Sequence, residues 1–442
     1  MSRLFSALRP LTVAVPIALS ITACGGGSDL SVPQVAQTWE QVMTDNGITG
    51  LFTQPVTLRQ YARTSAAGNS VRIRLSNVYS SKPLDIGSAN VALRDDTSSE
   101  GSAIQPGTLH VVTFNGGSRS VQIPAGAVIE SDPVAMSLTS EADLLVSMYF
   151  PYSPNLEDIH AYEGGNPTTA VPEISYLVAG GDVTANTALN PAQYTQVPSK
   201  YILTGVDITP AATIRTMVAF GDSITDHAHV SAPNKDYPSQ LGAIMNSSDA
   251  ASGLAVGNAG ISGNELLVDQ PATPTNGQAG ISRFKRDVLD RPGVTDVVVL
   301  EGTNDLHKGF SNWTTDPNAV ADNTAQLIAG YRNLISQAHQ HSIRIYGGTI
   351  MPVGSWYNNT QADSARQAVN AWIRTSNEFD GVVDFDLATR DPSNPSVLAA
   401  GCGSNDGIHP TDPGTLVMAN LTASVVFNRK TDPKLLSCSG TS

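Results

Sequence analysis

Hydrophobic and polar positions follow two different patterns along the chain. From about Ser31 to Val206, short runs alternate apolar with polar residues, and turns rich in Gly, Pro, Asn and Asp separate them. A period of two is typical of strands buried on one face, and turns of this composition indicate hairpins. We expect an antiparallel β-sandwich here, jelly-roll-like in type. The clearest runs are Val71–Leu75, Leu109–Phe114, Ser120–Ile123 and Leu144–Phe150.

A second pattern begins near Ala212, where continuous apolar runs alternate with stretches of helical periodicity. Continuous apolar runs are typical of parallel strands buried on both faces. The alternation therefore predicts a doubly wound α/β sheet with its functional edge at the carboxyl ends of the strands. The predicted strands are Met217–Phe220, Val297–Leu300, Ile343–Tyr346 and Val382–Phe385. The predicted helices are Tyr237–Met245, Ile281–Leu289, Asn318–His341, Asp363–Thr375 and Pro413–Phe427, the last with Asp412 as its N-cap.

The beginning of the chain has the pattern of an export signal. An apolar stretch from Leu11 to Ile21, too short to span a membrane as a helix, follows two arginines. Ile21-Thr22-Ala23-Cys24 resembles the bacterial lipoprotein processing site, so we expect Cys24 to become a lipidated N-terminus. Ordinary signal cleavage, with Cys24 discarded or left free, is the alternative. Either route predicts an exported protein, held in the cell envelope (as an outer-membrane lipoprotein) or secreted.

These patterns together divide the chain into four parts. We expect a signal peptide at 1–24, a flexible linker at 25–34, the β-sandwich domain at 35–208 and the α/β domain at 209–442. The length of 442 residues is enough for two domains with cores of their own.

The cysteine count agrees with this division. Three cysteines leave an even number once Cys24 is assigned to lipid, so Cys402 and Cys438 can pair in an oxidising compartment. Two unpaired buried thiols are the alternative. The net charge of −14, without a basic cluster, argues against a nucleic-acid partner.

Four short segments carry candidate chemistry, and each is expected near the end of a strand or the start of a helix. They are Gly221-Asp222-Ser223, Asn258-Ala259-Gly260-Ile261-Ser262-Gly263-Asn264, Gly302-Thr303-Asn304-Asp305 and Asp406-Gly407-Ile408-His409-Pro410. Taken alone, each could be an ordinary turn, and Asp406 with His409 could be a surface pair or two metal ligands. Together, and in this order, they supply the parts that acyl transfer requires.

Those parts are a nucleophile, a base, a group that orients the base, and donors for an oxyanion. Ser223 is the candidate nucleophile, His409 the base and Asp406 its orienting partner. The N–H groups of Ser223 and Gly263 and the side-chain amide of Asn304 are the candidate oxyanion donors. We expect Asp222 to brace the serine loop and Asp305 to brace its own turn. The histidines His227, His229 and His307 are either contacts at the rim of the site or parts of solvated loops.

With these segments, residues from roughly Arg215 to Phe427 resemble the SGNH hydrolase superfamily, also called GDSL esterases or lipases. The resemblance implies a flavodoxin-like α/β/α domain, the roles just given for the five site residues, and neither a metal nor an organic cofactor. A closer likeness is to bacterial GDSL proteins with an added N-terminal β-domain. It rests on Arg74-Leu75-Ser76-Asn77, Gly260-Ile261-Ser262-Gly263-Asn264 and Arg286-Asp287-Val288-Leu289.

The function expected from this resemblance is a serine esterase that works through an acyl-Ser223 intermediate. Short-acyl esters, such as carbohydrate O-acetyl groups, are the first substrate expectation, by analogy with related enzymes that carry a β-sandwich. A lipase, an aryl esterase or an acyltransferase could use the same residues. A binding lipoprotein with a vestigial hydrolase is the alternative of another class, and the intact set of site residues argues against it.

Overall fold

The computed structural model describes residues 35–47, 52–161, 175–226, 228–247, 253–313, 315–357 and 359–438. The predicted signal peptide, the linker, Cys24 and His227 lie outside the described residues. In the part of the chain that is described, no helix is both long and apolar enough to cross a membrane.

Residues 35–210, here called the β-rich region, consist of short strands joined by turns. The strands are β1 (Ala36–Glu40), β2 (Thr44–Asp45), β3 (Val56–Arg63), β4 (Gly68–Asn77), β5 (Leu84–Ile86), β6 (Ser88–Leu93), β7 (His110–Val112), β8 (Val121–Ile123), β9 (Ala127–Glu130), β10 (Val134–Leu138), β11 (Asp143–Phe150), β12 (Asp158–His160), β13 (Ser175–Ala179), β14 (Tyr194–Val197), β15 (Lys200–Tyr201) and β16 (Leu203–Pro210).

Two antiparallel sheets of this region share one hydrophobic core. One has the order β1-β16-β4-β10, with β9 also paired to β4, and the other has the order β14-β13-β3-β11-β6-β7. Ile73 and Val206 of the first sheet and Leu58 and Val146 of the second are fully buried in the same cluster. Two packed sheets with a common core form a β-sandwich, as the alternating pattern predicts. The jelly-roll form of that sandwich stays a prediction. A smaller antiparallel sheet of the same region, in the order β15-β12-β2, carries His160 at the end of β12.

Residues 215–427, here called the α/β region, contain a parallel sheet. Its strands are β17 (Arg215–Gly221), β18 (Leu254–Gly260), β19 (Asp296–Leu300), β20 (Arg344–Gly348) and β21 (Gly381–Val383). They lie in the order β18-β17-β19-β20-β21. Numbered along this region the order is 2-1-3-4-5, that of flavodoxin-like sheets, in which ligands bind where the order reverses beside the first strand. Ser223 follows β17 and Asn304 follows β19, so both lie at that point.

Helices cover both faces of the parallel sheet. They are α1 (Tyr237–Met245), α2 (Gly280–Phe284), α3 (Ala319–Gln340), α4 (Thr360–Thr375), α5 (Phe385–Thr389) and α6 (Asp412–Phe427). Alternate residues of the strands point to opposite faces: Phe220 packs with α3 and α4 residues such as Leu334 and Val369, and Ala219 packs with α1 and α6 residues such as Leu241. The result is a three-layer α/β/α arrangement.

The structure corrects four details of the sequence-based elements. Strand β18 was not predicted, because its residues Leu-Ala-Val-Gly-Asn-Ala-Gly include types that are depleted in strands. The predicted helix Ile281–Leu289 is α-helical only to Phe284 and continues as a wider turn of π-helix. The predicted strand Val382–Phe385 ends at Val383, since Phe385 begins α5.

The fourth correction concerns the start of α6. Thr411, not Asp412, is the N-cap, and Asp412 is already in the helix. The Asp412 carboxylate instead accepts hydrogen bonds from the backbone N–H (2.8 Å) and the hydroxyl of Ser231. The Asp412 side chain therefore anchors the loop that follows Ser223 and does not cap the N-terminus of its own helix.

The β-rich and α/β regions are in contact through strand β1. Gln41 forms an isolated parallel bridge with Asn258, and the N–H of Gln37 donates to the carbonyl of Pro292 (3.1 Å). A buried ion pair joins Glu40 to Arg291, with Oε1 and Nε 2.6 Å apart. The expected domain boundary at 208/209 stays a prediction, since the two regions belong to one compact unit.

Candidate active site

Ser223, His409 and Asp406 form a continuous chain of hydrogen bonds. His409 Nε2 lies 2.7 Å from Ser223 Oγ, and His409 Nδ1 lies 2.6 Å from Asp406 Oδ2. A carboxylate only accepts, so Nδ1 carries the imidazole proton and leaves Nε2 as the acceptor of the serine hydroxyl proton. The structure thus brings the three residues together in the order that the sequence predicts for a nucleophile, a base and an orienting carboxylate.

The loop that carries Asp406 and His409 is shaped to keep the carboxylate ionised. Burial opposes the charge on Asp406, but hydrogen bonds from His409, from the Ser404 hydroxyl and from the N–H groups of Ile408 and His409 outweigh it. They hold the pKa of Asp406 well below its usual range. An ionised carboxylate at this position is able to stabilise an imidazolium at His409.

A disulfide joins the start of this loop to the segment that follows α6. Cys402 and Cys438 are bonded, and they are separated by 36 residues. The Cys402 carbonyl also accepts a hydrogen bond from the N–H of Thr411 (2.8 Å), which places both ends of the His409 loop side by side. Closing a loop of this size stabilises the folded chain by about 3–4 kcal/mol in the chain-entropy model.

Asp222 braces the turn that presents Ser223, as the sequence predicts. Its Oδ1 accepts the N–H of Ile224 (2.9 Å), and its carbonyl accepts the N–H groups of Thr225 (3.1 Å) and Asp226 (3.0 Å). Burial raises the pKa of Asp222 to about 6, and the N–H of Ile224 opposes that rise. Asp222 therefore shapes the loop without contacting the reacting atoms.

Two neighbouring loops bring the predicted oxyanion donors beside this turn. The N–H of Ile261 donates to the carbonyl of Gly221 (3.0 Å), and Asn304 Nδ2 donates to the carbonyl of Asn264 (2.9 Å). Among the described residues, neither the Ser223 N–H nor the Gly263 N–H donates to a protein acceptor. Both donors are consequently available to an anion.

Gly263 needs to be glycine at this position. Its φ is +77°, and an added Cβ would lie 2.7 Å from Cγ of the Asn276 side chain. Glycine adopts this conformation without steric strain, so the loop can turn its N–H toward the site.

Asp305 also contacts a segment outside its own turn, which the sequence does not predict. Its two oxygens accept the N–H groups of Leu266 (2.8 Å) and Leu267 (3.0 Å), so it holds the chain that follows Gly263. Burial raises the pKa of Asp305 to about 6, and these two N–H groups oppose the rise. The carboxylate thus connects the Asn304 segment to the Gly263 segment.

Arg283 supports the candidate site from within the core, a role that no motif in the sequence indicates. Its fully buried guanidinium donates to the carbonyls of Gly221 (3.0 Å) and Ala259 (2.8 Å) and to Asn264 Oδ1 (2.9 Å). It also pairs with Glu301 Oε1 at 3.2 Å. These partners lie at or next to the carboxyl ends of β17, β18 and β19. One side chain therefore holds together the three strand ends that lead into the site.

A second histidine binds the orienting carboxylate. His229 Nε2 lies 3.1 Å from Asp406 Oδ2, and the His229 and His409 rings stack with centroids 4.8 Å apart. Burial lowers the pKa of His229; the Asp406 charge opposes this, and His409 adds to it. The sequence leaves two positions open for His229, a solvated loop or the rim of the site. Its contacts with Asp406 and His409 put it at the rim.

The same three side chains could hold a divalent metal ion. The ligand atoms of His229, Asp406 and His409 all lie within 4.8 Å of one another. Imidazole nitrogens with a carboxylate oxygen suit zinc. An ion there would bind the atoms that Asp406 and His409 use to orient each other, so it would oppose the chemistry rather than supply it.

His307 stacks on an aromatic side chain from the neighbouring loop. Its ring lies 3.8 Å from that of Trp356, at an interplanar angle of 15°. Both rings are half-buried. They follow β19 and β20, so they lie at the same edge of the sheet as Ser223. Nothing in the sequence beyond the position of His307 after Asn304 could have indicated this pair.

Three solved structures are similar to less than half of this chain. An acetyl xylan esterase from Geobacillus stearothermophilus is 17% identical, with 47% of this chain and 93% of that chain covered and a TM-score of 0.35. A carbohydrate acetylesterase from Sinorhizobium meliloti is 12% identical, with 48% and 97% covered and a TM-score of 0.36. A lipase/acylhydrolase from Enterococcus faecalis is 18% identical, with 47% and 93% covered and a TM-score of 0.34.

Sequence comparison gives one negative and one positive result. No curated protein matches the chain. The model of the GDSL-like lipase/acylhydrolase family matches residues 219–416, a span that contains Ser223, Gly263, Asn304, Asp406 and His409 and supports a hydrolase.

Proposed function

We propose that this protein is a serine esterase that hydrolyses carboxylic esters through an acyl-Ser223 intermediate. The observation that carries the proposal is the hydrogen-bonded chain from Asp406 through His409 to Ser223. The family match over residues 219–416 supports the same chemistry independently of these distances.

The reaction proceeds in two halves. Ser223 Oγ attacks the ester carbonyl while its proton moves to His409 Nε2, and Asp406 stabilises the resulting imidazolium. The N–H groups of Ser223 and Gly263 and the amide of Asn304 bind the oxyanion of the tetrahedral intermediate. The alcohol leaves with the proton from His409. Water then attacks the acyl-enzyme with His409 again as base, and the acid is released.

For the substrate, we favour carbohydrate O-acetyl esters or other short-acyl esters. The half-buried pair His307–Trp356 supports this choice, because an aromatic face with a polar neighbour suits the apolar face and hydroxyls of a sugar ring. The pair lies at the sheet edge that carries Ser223.

A longer acyl chain or an aryl group is the second candidate. A cavity of about 460 Å³ adjoins Asp305 and is lined mainly by apolar side chains, among them Leu267, Val268, Ile281 and Phe310. Such a surface would bury an acyl chain favourably. An acyltransferase would use the same residues with a sugar hydroxyl in place of water.

We also propose that the protein acts outside the cytoplasm, in the cell envelope or secreted. The pattern before Cys24 and the disulfide between Cys402 and Cys438 support this location. Metabolic labelling with a radioactive or clickable fatty acid, compared between the natural chain and Cys24→Ala, tests the lipid anchor. Label on both chains, or on neither, would contradict it.

Hydrolysis of p-nitrophenyl acetate tests the reaction itself. The natural chain should release p-nitrophenol, and Ser223→Ala should lose at least 10³-fold in kcat/KM, as roughly expected for loss of a triad member. Retention of most activity by Ser223→Ala would refute the mechanism. Acetyl, butyryl, octanoyl and feruloyl esters, with acetylated xylan alongside, then separate the two substrate candidates.

A further inference from the structure

One buried imidazole connects the β-rich region to the catalytic segments. His160, at the end of β12, is 3% exposed. Its Nδ1 lies 2.8 Å from the carbonyl oxygen of Val42, and its Nε2 lies 3.0 Å from Oδ1 of Asp226. Asp226 ends the turn that presents Ser223. A side chain of the β-rich region thus binds the turn of the candidate nucleophile.

Asp226 in turn holds two catalytic segments together. Its other oxygen, Oδ2, accepts a hydrogen bond from the Ser262 hydroxyl (3.0 Å), and Ser262 directly precedes the oxyanion donor Gly263. The backbones also meet here, because a Cβ added to Gly260 would lie 2.3 Å from the nitrogen of Asp226. The position of the Asp226 carboxylate therefore sets the Ser223 turn and the Gly263 loop relative to each other.

The contacts of His160 with Val42 and Asp226 determine where its protons lie. A carbonyl oxygen only accepts, so Nδ1 must donate to Val42. The short contact between Nε2 and Asp226 Oδ1 then requires a second proton, carried by the imidazole or by the carboxyl group. With both bonds formed, the ring spans from the loop after β1 to the serine turn and prevents Asp226 from rotating.

We propose that His160 is a positioning residue of the active site, which aligns the Ser223 turn with the Gly263 oxyanion loop through Asp226. The β-rich region is then part of the catalytic apparatus and not an independent module. This inference rests on the proposed esterase function for its kinetic consequence, but the alignment itself is a structural property that can be measured without turnover.

Two substitutions at His160 separate its two hydrogen bonds. In His160→Gln the amide nitrogen takes the place of Nε2 and can still donate to Asp226. In His160→Asn the amide nitrogen takes the place of Nδ1, so it donates to Val42 but does not span the distance to Asp226. Thr44→Val is the matched control, because it removes a buried hydrogen bond to Ile159 (2.9 Å) in the same small sheet without affecting Asp226.

The kinetic test compares kcat and KM for p-nitrophenyl acetate in full-length protein. His160→Asn should lower kcat by about 10- to 100-fold with little change in KM, as small misplacements of catalytic groups do. His160→Gln and Thr44→Val should stay within about threefold of the natural chain, a change near the size of one ordinary hydrogen bond at most. Equal losses in His160→Asn and Thr44→Val would show a merely structural role and overturn the proposal.

Amide hydrogen exchange provides the readout that does not depend on esterase activity. Peptides covering residues 258–264 should exchange faster in His160→Asn than in His160→Gln or Thr44→Val. If the natural chain hydrolysed no ester, the proposed function would fail while this comparison still decided the positioning role. Unchanged exchange in His160→Asn would refute that role even in an active enzyme.

Discussion

The imidazole rings of His229 and His409 stack with their centroids 4.8 Å apart and their planes 14° from parallel. Both rings also contact the same oxygen, Oδ2 of Asp406, at 3.1 Å and 2.6 Å. The base of the candidate triad therefore shares its orienting carboxylate with a second histidine. His229 has a φ of +63°, so the backbone adopts an uncommon conformation to present that ring.

Replacing His229 should change the pH dependence of the esterase. Burial lowers the pKa of His229, so at neutral pH it is an uncharged donor that takes up part of the Asp406 charge. His229→Phe keeps a stacked ring but removes the donor, which leaves more of that charge to stabilise the imidazolium of His409. We expect the acid limb of kcat/KM to move to higher pH, as measured with p-nitrophenyl acetate across about pH 4–9.

His229→Gln is the control for this change, because it keeps a donor and loses the ring. It should shift the acid limb less than His229→Phe does. An acid limb that is the same in His229→Phe and the natural chain would mean that the Asp406 charge is not shared.

Zinc ions should inhibit the enzyme through the same cluster. The ligand atoms of His229, Asp406 and His409 lie within 4.8 Å of one another, and a bound ion would displace the proton between Asp406 and His409. Inhibition should be reversed by a chelator and weakened about tenfold or more in His229→Phe, because losing a direct ligand costs at least as much affinity as losing an outer-shell partner, roughly 10- to 100-fold. Equal sensitivity of the two proteins would place any zinc effect elsewhere.

Arg283 should be required for stability. Its guanidinium binds two strand-end carbonyls, Asn264 and Glu301, all of them buried. Arg283→Met leaves these buried acceptors without their donor, so we expect the free energy of unfolding to fall by about 3–5 kcal/mol. Urea denaturation measures this free energy of unfolding.

Arg332→Met is the control variant. It removes an exposed ion pair with Glu378 and should change the free energy of unfolding by about 1 kcal/mol or less. Similar losses in both variants would contradict the special role of Arg283.

Asp406 should contribute stability only where it is ionised. Its pKa is held well below the usual value, so the contribution is present above the unfolded-state pKa of about 4 and is lost as the pH falls below it. Asp406→Asn should therefore lower the Tm at pH 7, and the difference from the natural chain should narrow in acid. A difference that widened in acid would contradict the hydrogen bonding of this loop.

The sequence predicts the parts of the site that are local and misses those that depend on distant contacts. Ser223 and His409 can be predicted because each lies in a motif of a few residues, one after a strand and the other in a loop before a helix. His160 lies in a segment without any catalytic motif, and its partner Asp226 is 66 residues away. Arg283 resembles any basic residue of a surface helix until the ends of three strands are seen to surround it.

The fold shows the same division between local and distant causes. Periodicity predicts α1 and most of α3, because each helix buries a continuous apolar stripe. It misses β18, where Gly257 lies so close to β1 that a Cβ would be 2.0 Å from the Gln37 side chain. That glycine is explained by a neighbour more than 200 residues earlier in the chain, which no short window contains.

Covalent labelling of Ser223 tests the central claim most directly. A fluorophosphonate probe should add one mass increment to the natural chain, and peptide mapping should place it on Ser223. Ser223→Ala should not be labelled, and His409→Ala should be labelled far more slowly because the hydroxyl loses its base. Rapid label on Ser223 that requires His409 is the result we predict. Absence of label on Ser223 in folded protein, or equal labelling in His409→Ala, would contradict the account.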